Sequence, residues 1–293
     1  MTSEAASWRS EALGPARRLQ LGKAVVRAHS TGEGPAIVFV HGALVNANLW
    51  RKVVPRLEGF QRVALDLPLG SHTEPVPEAD LTPPALADLI ADSIEALGLD
   101  DVTLVGNDTG GALSQILVTR RPERIGRLVL TSCDAFDNFP PRAFRIVLAP
   151  ARIPGVGPLL LKTLRLRPLR RLPLAYGWLS QEPIDREADD SYVLPVVRDR
   201  AIGRDVRRLL NGLDARYTLD AAARLSRFDR PVLIAWSAED RFFPPEHAER
   251  LARILPDARV EPIEGARTFS AEDRPERLAE LIGSFVRAPA VAS

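Results

Sequence analysis

Residues 102–111, VTLVGNDTGG, constrain the possible folds more than any other part of the chain. The first four residues are mostly apolar and β-branched, which favours a buried parallel strand. The glycines at 106, 110 and 111 permit a turn that is too tight for Cβ atoms, and a helix is predicted over about 111–121. The pattern G-x-D-x-G therefore predicts that Asp108 lies where a strand turns sharply into a helix. The N-terminus of that helix favours negative charge at this point.

Strand-like and helix-like segments alternate along the rest of the chain. Short apolar runs that predict buried strands occur at 36–40, 62–65, 127–130, 231–236 and 259–263. Amphipathic patterns that predict helices occur at 46–57, 84–97, 245–254 and 275–286. Such alternation predicts an α/β fold, with a parallel sheet that is covered by helices on both faces.

Four motifs together resemble the α/β-hydrolase superfamily over about residues 18–288. They are the His-Gly pair after the first apolar run, the turn at Asp108, the loop SAEDRFFP and the helix EDRPERLAELI. An aspartate in the place of the usual nucleophilic serine resembles the branch of haloalkane dehalogenases and epoxide hydrolases. The resemblance implies a mostly parallel, eight-stranded sheet flanked by helices, with a helical cap inserted into it.

The resemblance also implies roles for single residues. Asp108 would attack a carbon atom and form an alkyl ester, and Asp240 would orient a histidine that activates water to release the product. The backbone N–H groups of Ala43 and Thr109 would form an oxyanion hole. Two differences from the motifs of these families argue against a dehalogenase or epoxide hydrolase activity. Ala43 replaces the asparagine or proline of those families, and Thr109 replaces a halide-binding tryptophan.

The histidine implied by the resemblance is absent. The family carries it in the context Gly-x-x-His-Phe, whereas this chain reads GARTF at 265–269, so Thr268 occupies the position. Threonine does not titrate near neutral pH and cannot take a proton from water. Among the four histidines, His72 is the best candidate for a replacement base, because its loop should reach the same edge of the sheet.

The segment 138–227 lacks strand-like runs and is rich in proline, which predicts the helical cap. The predicted core comprises 17–137 and 228–293, and residues 1–16 are predicted to be a flexible tail. Apolar cap residues, among them Phe144, Leu159, Leu160 and Leu179, are expected to line a hydrophobic pocket over Asp108. The predicted substrate contacts are His41, Asp134, Phe139, Trp178 and Phe269.

Some of these residues have alternative interpretations. Asp134 follows the strand after the Asp108 turn, where relatives sometimes place an alternative acid, but its side chain is also suited to bonding loop N–H groups. Tyr176, Tyr192 and Tyr217 lie in the predicted cap. These tyrosines would either donate a proton to an epoxide oxygen or pack among the other side chains of the cap.

Composition narrows the class of protein. The formal net charge is +1, which argues against a nucleic-acid partner, and the single cysteine allows no internal disulfide. We expect no metal and no cofactor. The chain shows no export signal and no membrane-spanning segment, so a cytoplasmic location is expected. Richness in alanine, proline, leucine and arginine suggests a bacterial source.

Two functional hypotheses follow. In the first, the chain is an enzyme that acts on a hydrophobic small molecule through Asp108. Its reaction is either hydrolysis, by a water held by Thr268 and Asp240, or a proton transfer that drives elimination, cyclisation or rearrangement. In the second, the chain is a small-molecule-binding protein that keeps the pocket of the fold but has lost turnover together with the histidine. The substrate and the oligomeric state are left open.

Overall fold

The computed structural model describes residues 4–145 and 162–288. Eight strands form one sheet in the order β1-β2-β4-β3-β5-β6-β7-β8. The strands are β1 (Ala16–Leu21), β2 (Ala24–Thr31), β3 (Ala36–Val40), β4 (Gln61–Asp66), β5 (Val102–Asp108), β6 (Ile125–Cys133), β7 (Val232–Ser237) and β8 (Ala258–Ile263). The pairs β1–β2 and β2–β4 are antiparallel, and the remaining pairs are parallel. This confirms the predicted mostly parallel sheet of eight strands.

Helices flank the sheet. They are α1 (Glu4–Ser7), α2 (Pro83–Ala96), α3 (Thr109–Arg120), α4 (Arg167–Arg170), α5 (Arg186–Arg198), α6 (Arg200–Gly212), α7 (Ala215–Ala222), α8 (Pro245–Ile254), α9 (Ser270–Asp273) and α10 (Pro275–Arg287). The helix predicted over 46–57 is instead two short 3-10 helices, Ala47–Trp50 and Val54–Arg56. Pro55 has no N–H to bond the preceding turn, which disfavours a continuous α-helix at this position.

The central strands are buried on both faces. Every residue of β3, β5 and β7 is buried, as expected for parallel strands that are covered on both sides. Because β3, β5, β6, β7 and β8 run parallel, their carboxyl ends meet at one edge of the sheet. The loops that carry Gly42, Asp108, Asp134, Asp240 and Thr268 all begin at this edge, so the sheet topology alone brings the predicted site residues together.

The described part of the N-terminal segment contacts the core of the protein, and its flexibility stays a prediction. Arg9 donates from Nε to Asp66 Oδ2 at 2.8 Å, and the N–H of Ser10 donates to Asn48 Oδ1 at 2.8 Å. Leu13 is only 1% exposed. The segment docks because the buried carboxylate of Asp66 requires a cation and because Leu13 completes the apolar core.

Between β6 and β7, the described residues form helices α4 to α7 and no strand. We call residues 138–227 the insertion; its boundaries as a separate cap domain remain a prediction. Leu159 and Leu160, predicted to line the pocket, lie outside the described residues. Within 4–145 and 162–288, no helix has the length and apolar character needed to cross a bilayer.

Candidate active site

The backbone of Asp108 is strained. It has φ 53° and ψ −129° at the junction of β5 and α3, a conformation that residues other than glycine rarely adopt. The turn requires glycine at position 110, because a Cβ there would stand 2.4 Å from the carbonyl oxygen of Val40. The sharp strand-to-helix turn therefore holds the Asp108 side chain at the carboxyl edge of the sheet.

The loop after β3 lies in close contact with Asp108. We call this segment, residues 41–45, the oxyanion loop. A Cβ on Gly42 would stand 2.1 Å from Asp108 Oδ2, so only glycine allows this approach. The backbone N–H groups of Ala43 and Thr109 both act on the Asp108 carboxyl group and lower its pKa. The structure thus brings together the three groups that the sequence predicts for the centre of the site.

Asp108 titrates in an unusual range. Its pKa is raised from the ordinary 3.8 to about 7, mainly by burial and to a smaller extent by the negative charge of Asp240. The N–H groups of Thr109 and Ala43 act in the opposite direction, since they stabilise the carboxylate. Desolvation prevails over these hydrogen bonds because the Asp108 side chain is almost completely enclosed, at 9% exposure.

Thr268 contacts the predicted acid directly. Asp240 Oδ1 accepts hydrogen bonds from the Phe242 and Phe243 N–H groups at 2.8 and 2.9 Å and from Thr268 Oγ1 at 3.2 Å. Burial raises the pKa of Asp240 to about 6, although these donors lower it. Asn107 Nδ2 donates to the Thr268 carbonyl at 2.7 Å, so the turn at Asp108 and the Thr268 loop support each other.

Asp134 is a third buried acid at this edge. It is 1% exposed, and its Oδ2 accepts a long hydrogen bond of 3.4 Å from Thr109 Oγ1. Burial raises the pKa of Asp134 well above its ordinary value, and the charge of Asp108 adds to the rise. Its partner is a hydroxyl group rather than the loop N–H groups considered from the sequence. Asp134 therefore favours a protonated state beside Asp108.

His41 connects the oxyanion loop to the segment that follows β4. Its Nδ1 bonds to the Gly42 carbonyl at 2.8 Å, and its Nε2 accepts from the Leu67 N–H at 3.0 Å. Burial lowers the pKa of His41 to about 4, which keeps the ring neutral. Backbone groups thus occupy both ring nitrogens of His41, and its predicted substrate contact stays a prediction.

His72, the candidate replacement base, bonds to the insertion. Its Nε2 lies 3.3 Å from Asp205 Oδ2 on α6, and its Nδ1 accepts from the Gly70 N–H at 3.3 Å. Asp205 also accepts from the Val76 N–H at 2.7 Å, which holds the carboxylate in place. His72 therefore connects the core to the insertion, and neither of its nitrogens is directed to Asp108 or Asp240.

The predicted aromatic contacts differ in their exposure. Phe139 and Phe269 are 1% and 0% exposed and belong to the core. Trp178 is half-buried and packs against Phe242 at 6.0 Å between ring centroids. Phe144 stacks on the same Phe242 ring at 4.7 Å. Of these four predicted residues, Trp178 and Phe144 are partly exposed.

The three tyrosines of the insertion have separate partners. The Tyr176 hydroxyl donates to the Leu44 carbonyl of the oxyanion loop at 2.7 Å. The Tyr192 hydroxyl lies 3.4 Å from Glu272 Oε1, and that of Tyr217 accepts from Arg216 at 2.7 Å. Only Tyr176 among them contacts a segment that carries predicted site residues.

The sequence reasoning missed the residue that fastens the insertion to the Thr268 loop. Asp273 Oδ1 accepts from Ser180 Oγ at 2.6 Å and from the N–H groups of Gln181 and Glu182 at 2.9 and 3.0 Å. Its Oδ2 accepts from the Arg267 N–H at 2.9 Å. No local pattern distinguishes Asp273 from an ordinary helix-terminal aspartate, since three of its partners lie about ninety residues earlier in the chain.

Comparisons with known proteins agree with this architecture. An uncharacterized hydrolase, YugF of Bacillus subtilis, is 28% identical over 294 aligned positions, covering 94% of this chain and 100% of that protein. The 2-hydroxy-6-oxo-6-phenylhexa-2,4-dienoate hydrolase of Comamonas testosteroni is 25% identical over 279 positions, covering 90% and 91%. The crystal structure of haloalkane dehalogenase DbeA from Bradyrhizobium elkani superposes with a TM-score of 0.78 at 21% identity, covering 93% of this chain and 97% of that one.

A family model described as alpha/beta hydrolase fold matches residues 35–275. This match runs from the start of β3 to the start of α10, and it includes Asp108, Asp240 and Thr268. With the parallel sheet and the strained turn between β5 and α3, it leads to one conclusion: the chain belongs to the α/β-hydrolase fold family.

Proposed function

We propose that the chain is an enzyme in which Asp108 transfers a proton to or from a hydrophobic small molecule. The observation that supports this most is the rise of the Asp108 pKa to about 7. A general acid or base works best when its pKa lies near the operating pH, because both protonation states are then available. An ordinary aspartate, with a pKa near 3.8, is a weak base at neutral pH.

The loss of the histidine argues against turnover through an alkyl ester. Attack by Asp108 on carbon would form the ester, but its hydrolysis requires a base that accepts a proton from water. The Thr268 hydroxyl does not titrate near neutrality, and it already donates to Asp240. An ester would therefore accumulate. A proton transfer avoids this step, since Asp108 recovers its starting state when the proton leaves.

The proposed reaction conserves atoms and charge. The Asp108 carboxylate takes a proton from a carbon next to a carbonyl group, and the electron pair of that C–H bond moves toward the carbonyl oxygen. The protonated Asp108 then returns the proton to another atom of the same molecule or to water. Neighbouring Asp240 favours the protonated state of Asp108, because its charge adds negative potential to a buried site.

The substrate class is proposed from the surroundings of the site and from one relative. Partly exposed aromatic rings, including Trp178 and Phe144, favour an apolar ligand. The printed name of the Comamonas testosteroni relative describes a dienoate that carries a 6-oxo-6-phenyl group, which is an aryl ketone. We propose a hydrophobic carbonyl compound with an acidic C–H bond as the substrate.

Hydrogen exchange into substrate tests this function even when the product is unknown. A panel of aryl ketones and oxo-dienoates is incubated with the protein in D₂O, and loss of C–H signals is followed by proton NMR. We expect exchange or conversion of at least one compound with the wild-type protein. Asp108→Asn should abolish it, and the exposed Asp229→Asn should not. Peptide mapping shows whether the asparagine persists.

Two outcomes would contradict the proposal. Exchange that is equally fast in Asp108→Asn would exclude Asp108 as the proton-transfer group. Binding of panel compounds without exchange would instead support a non-catalytic binding protein. Incubation with alkyl halides and epoxides adds a further discrimination, because a stable mass increase at Asp108 would assign this residue as a nucleophile whose ester is not released.

A further inference from the structure

The oxyanion loop is held by contacts from both the core and the insertion. From the core, the His41 ring bonds the Gly42 carbonyl, and the Leu44 N–H donates to the Leu69 carbonyl at 2.8 Å. From the insertion, the Tyr176 hydroxyl donates to the Leu44 carbonyl at 2.7 Å. The two polar groups of Leu44 are thus bonded to two different parts of the protein.

Leu44 needs such contacts because its backbone is strained. Its φ is 58°, in the left-handed region that residues with a Cβ avoid. Residues in this region keep their conformation only when their surroundings determine it. Leu44 directly follows Ala43, whose N–H lowers the pKa of Asp108, and the preceding Gly42 approaches the Asp108 carboxyl so closely that a Cβ there would stand 2.1 Å from Oδ2. A relaxation of Leu44 toward negative φ would rotate the Ala43–Leu44 peptide, and the backbone of Ala43, to which that peptide is attached, would have to shift with it.

Tyr176 is suited to this role by its own packing. Its ring lies 6.0 Å from Tyr192 and 6.4 Å from Phe269, measured between centroids, so the side chain is fixed among other aromatic rings. Burial raises the pKa of Tyr176, which keeps the hydroxyl protonated and able to donate. Its single proton is used on Leu44, so the group does not act as a proton donor to substrate in this arrangement.

We propose that Tyr176 is a positioning residue whose hydroxyl fixes Leu44 in the left-handed conformation and thereby keeps the Ala43 N–H directed at Asp108. The placement of the insertion then controls the ionisation of Asp108, although Tyr176 does not touch the acid. The consequence for turnover rests on the proposed proton-transfer function. The consequence for the Asp108 pKa does not.

The experiment measures the Asp108 pKa by carbon NMR of protein labelled at the aspartate carboxyl carbons, with the signal assigned by its loss in Asp108→Asn. Tyr176→Phe removes one oxygen and should raise this pKa by about one unit. This is the size expected when a carboxylate loses one hydrogen bond. Asp240, whose charge acts on Asp108, and Asp134, on which the charge of Asp108 acts, are both unchanged in this variant.

Two further variants distinguish positioning from general destabilisation. Tyr192→Phe is the matched control, because Tyr192 is buried beside Tyr176 and its hydroxyl lies near Glu272 instead of the oxyanion loop. It should leave the Asp108 pKa unchanged. Combining Leu44→Gly with Tyr176→Phe should restore the wild-type pKa, since glycine adopts φ 58° without strain.

An unchanged Asp108 pKa in Tyr176→Phe, or an equal rise in Tyr192→Phe, would overturn the proposal. If Tyr176→Phe alone does not fold, Leu44→Gly is compared with the double variant. A difference in the Asp108 pKa between these two proteins would contradict the proposal that Tyr176 acts through the conformation of Leu44. Because the readout needs no turnover, the positioning role can be confirmed even if hydrogen exchange fails and the proposed function is rejected.

Discussion

Replacing Asp108 with asparagine should stabilise the folded chain at neutral and alkaline pH. The folded-state pKa of about 7 lies above the ordinary 3.8, so the folded chain keeps a proton that the unfolded chain releases. The stability linked to this proton is complete below about pH 4. It is lost as the pH rises through about 7, where the buried side chain must ionise. Asparagine has a similar shape and tolerates positive φ, but it never carries the charge.

The magnitude follows from the size of the pKa rise. A rise of about three units corresponds to roughly 4 kcal/mol of unfolding free energy over the whole titration. Roughly 2.5 kcal/mol of this falls between pH 5 and pH 8. No discount for solvent screening is needed, because Asp108 is enclosed at 9% exposure.

Urea unfolding at pH 5 and pH 8 measures this difference. Relative to wild type, Asp108→Asn should gain about 2.5 kcal/mol of unfolding free energy between the two pH values. The exposed Asp229→Asn should show no such gain. A pH-independent difference between wild type and Asp108→Asn, or a gain at pH 5 that disappears at pH 8, would refute the reasoning that burial raises the Asp108 pKa.

Two other variants test separate parts of the structure. Arg9→Ala should lower the unfolding free energy by about 3–5 kcal/mol, because it leaves the buried carboxylate of Asp66 without its cation; equal urea midpoints for Arg9→Ala and the exposed control Arg17→Ala would contradict this. Thr268→Val should raise the pKa of Asp240 above about 6, since the hydroxyl donor is lost, whereas Thr268→Ser should leave it unchanged in the same NMR titration.

The central sheet was predictable because its strands are uniformly apolar. The runs at 36–40 and 231–236 carry side chains that suit burial on both faces, and the structure places β3 and β7 there. The edge strand β1 has no such run. Arg17 and Arg18 of β1 are exposed, and the strand shows little hydrophobic periodicity. Its range therefore could not be assigned from the sequence.

The candidate site was predictable where short-range chemistry determines it. Glycines next to Asp108 indicate the sharp turn, and the parallel topology brings Asp240 and Thr268 to the same edge. Contacts that depend on how the insertion packs were not predictable. His72 reaches the expected edge of the sheet, but Asp205 of the insertion binds it there. The hydrogen bond from Tyr176 to Leu44 spans 132 positions and has no local signature.

The proposed function is tested most directly by the carboxyl titration of Asp108 in the wild-type protein. The chemical shift of its labelled carboxyl carbon is followed by NMR across the acidic, neutral and mildly alkaline range, with Asp108→Asn used to assign the signal. The structure predicts a midpoint at about pH 7, so that both protonation states are populated at neutral pH. A midpoint near the ordinary 3.8 would contradict proton transfer by Asp108.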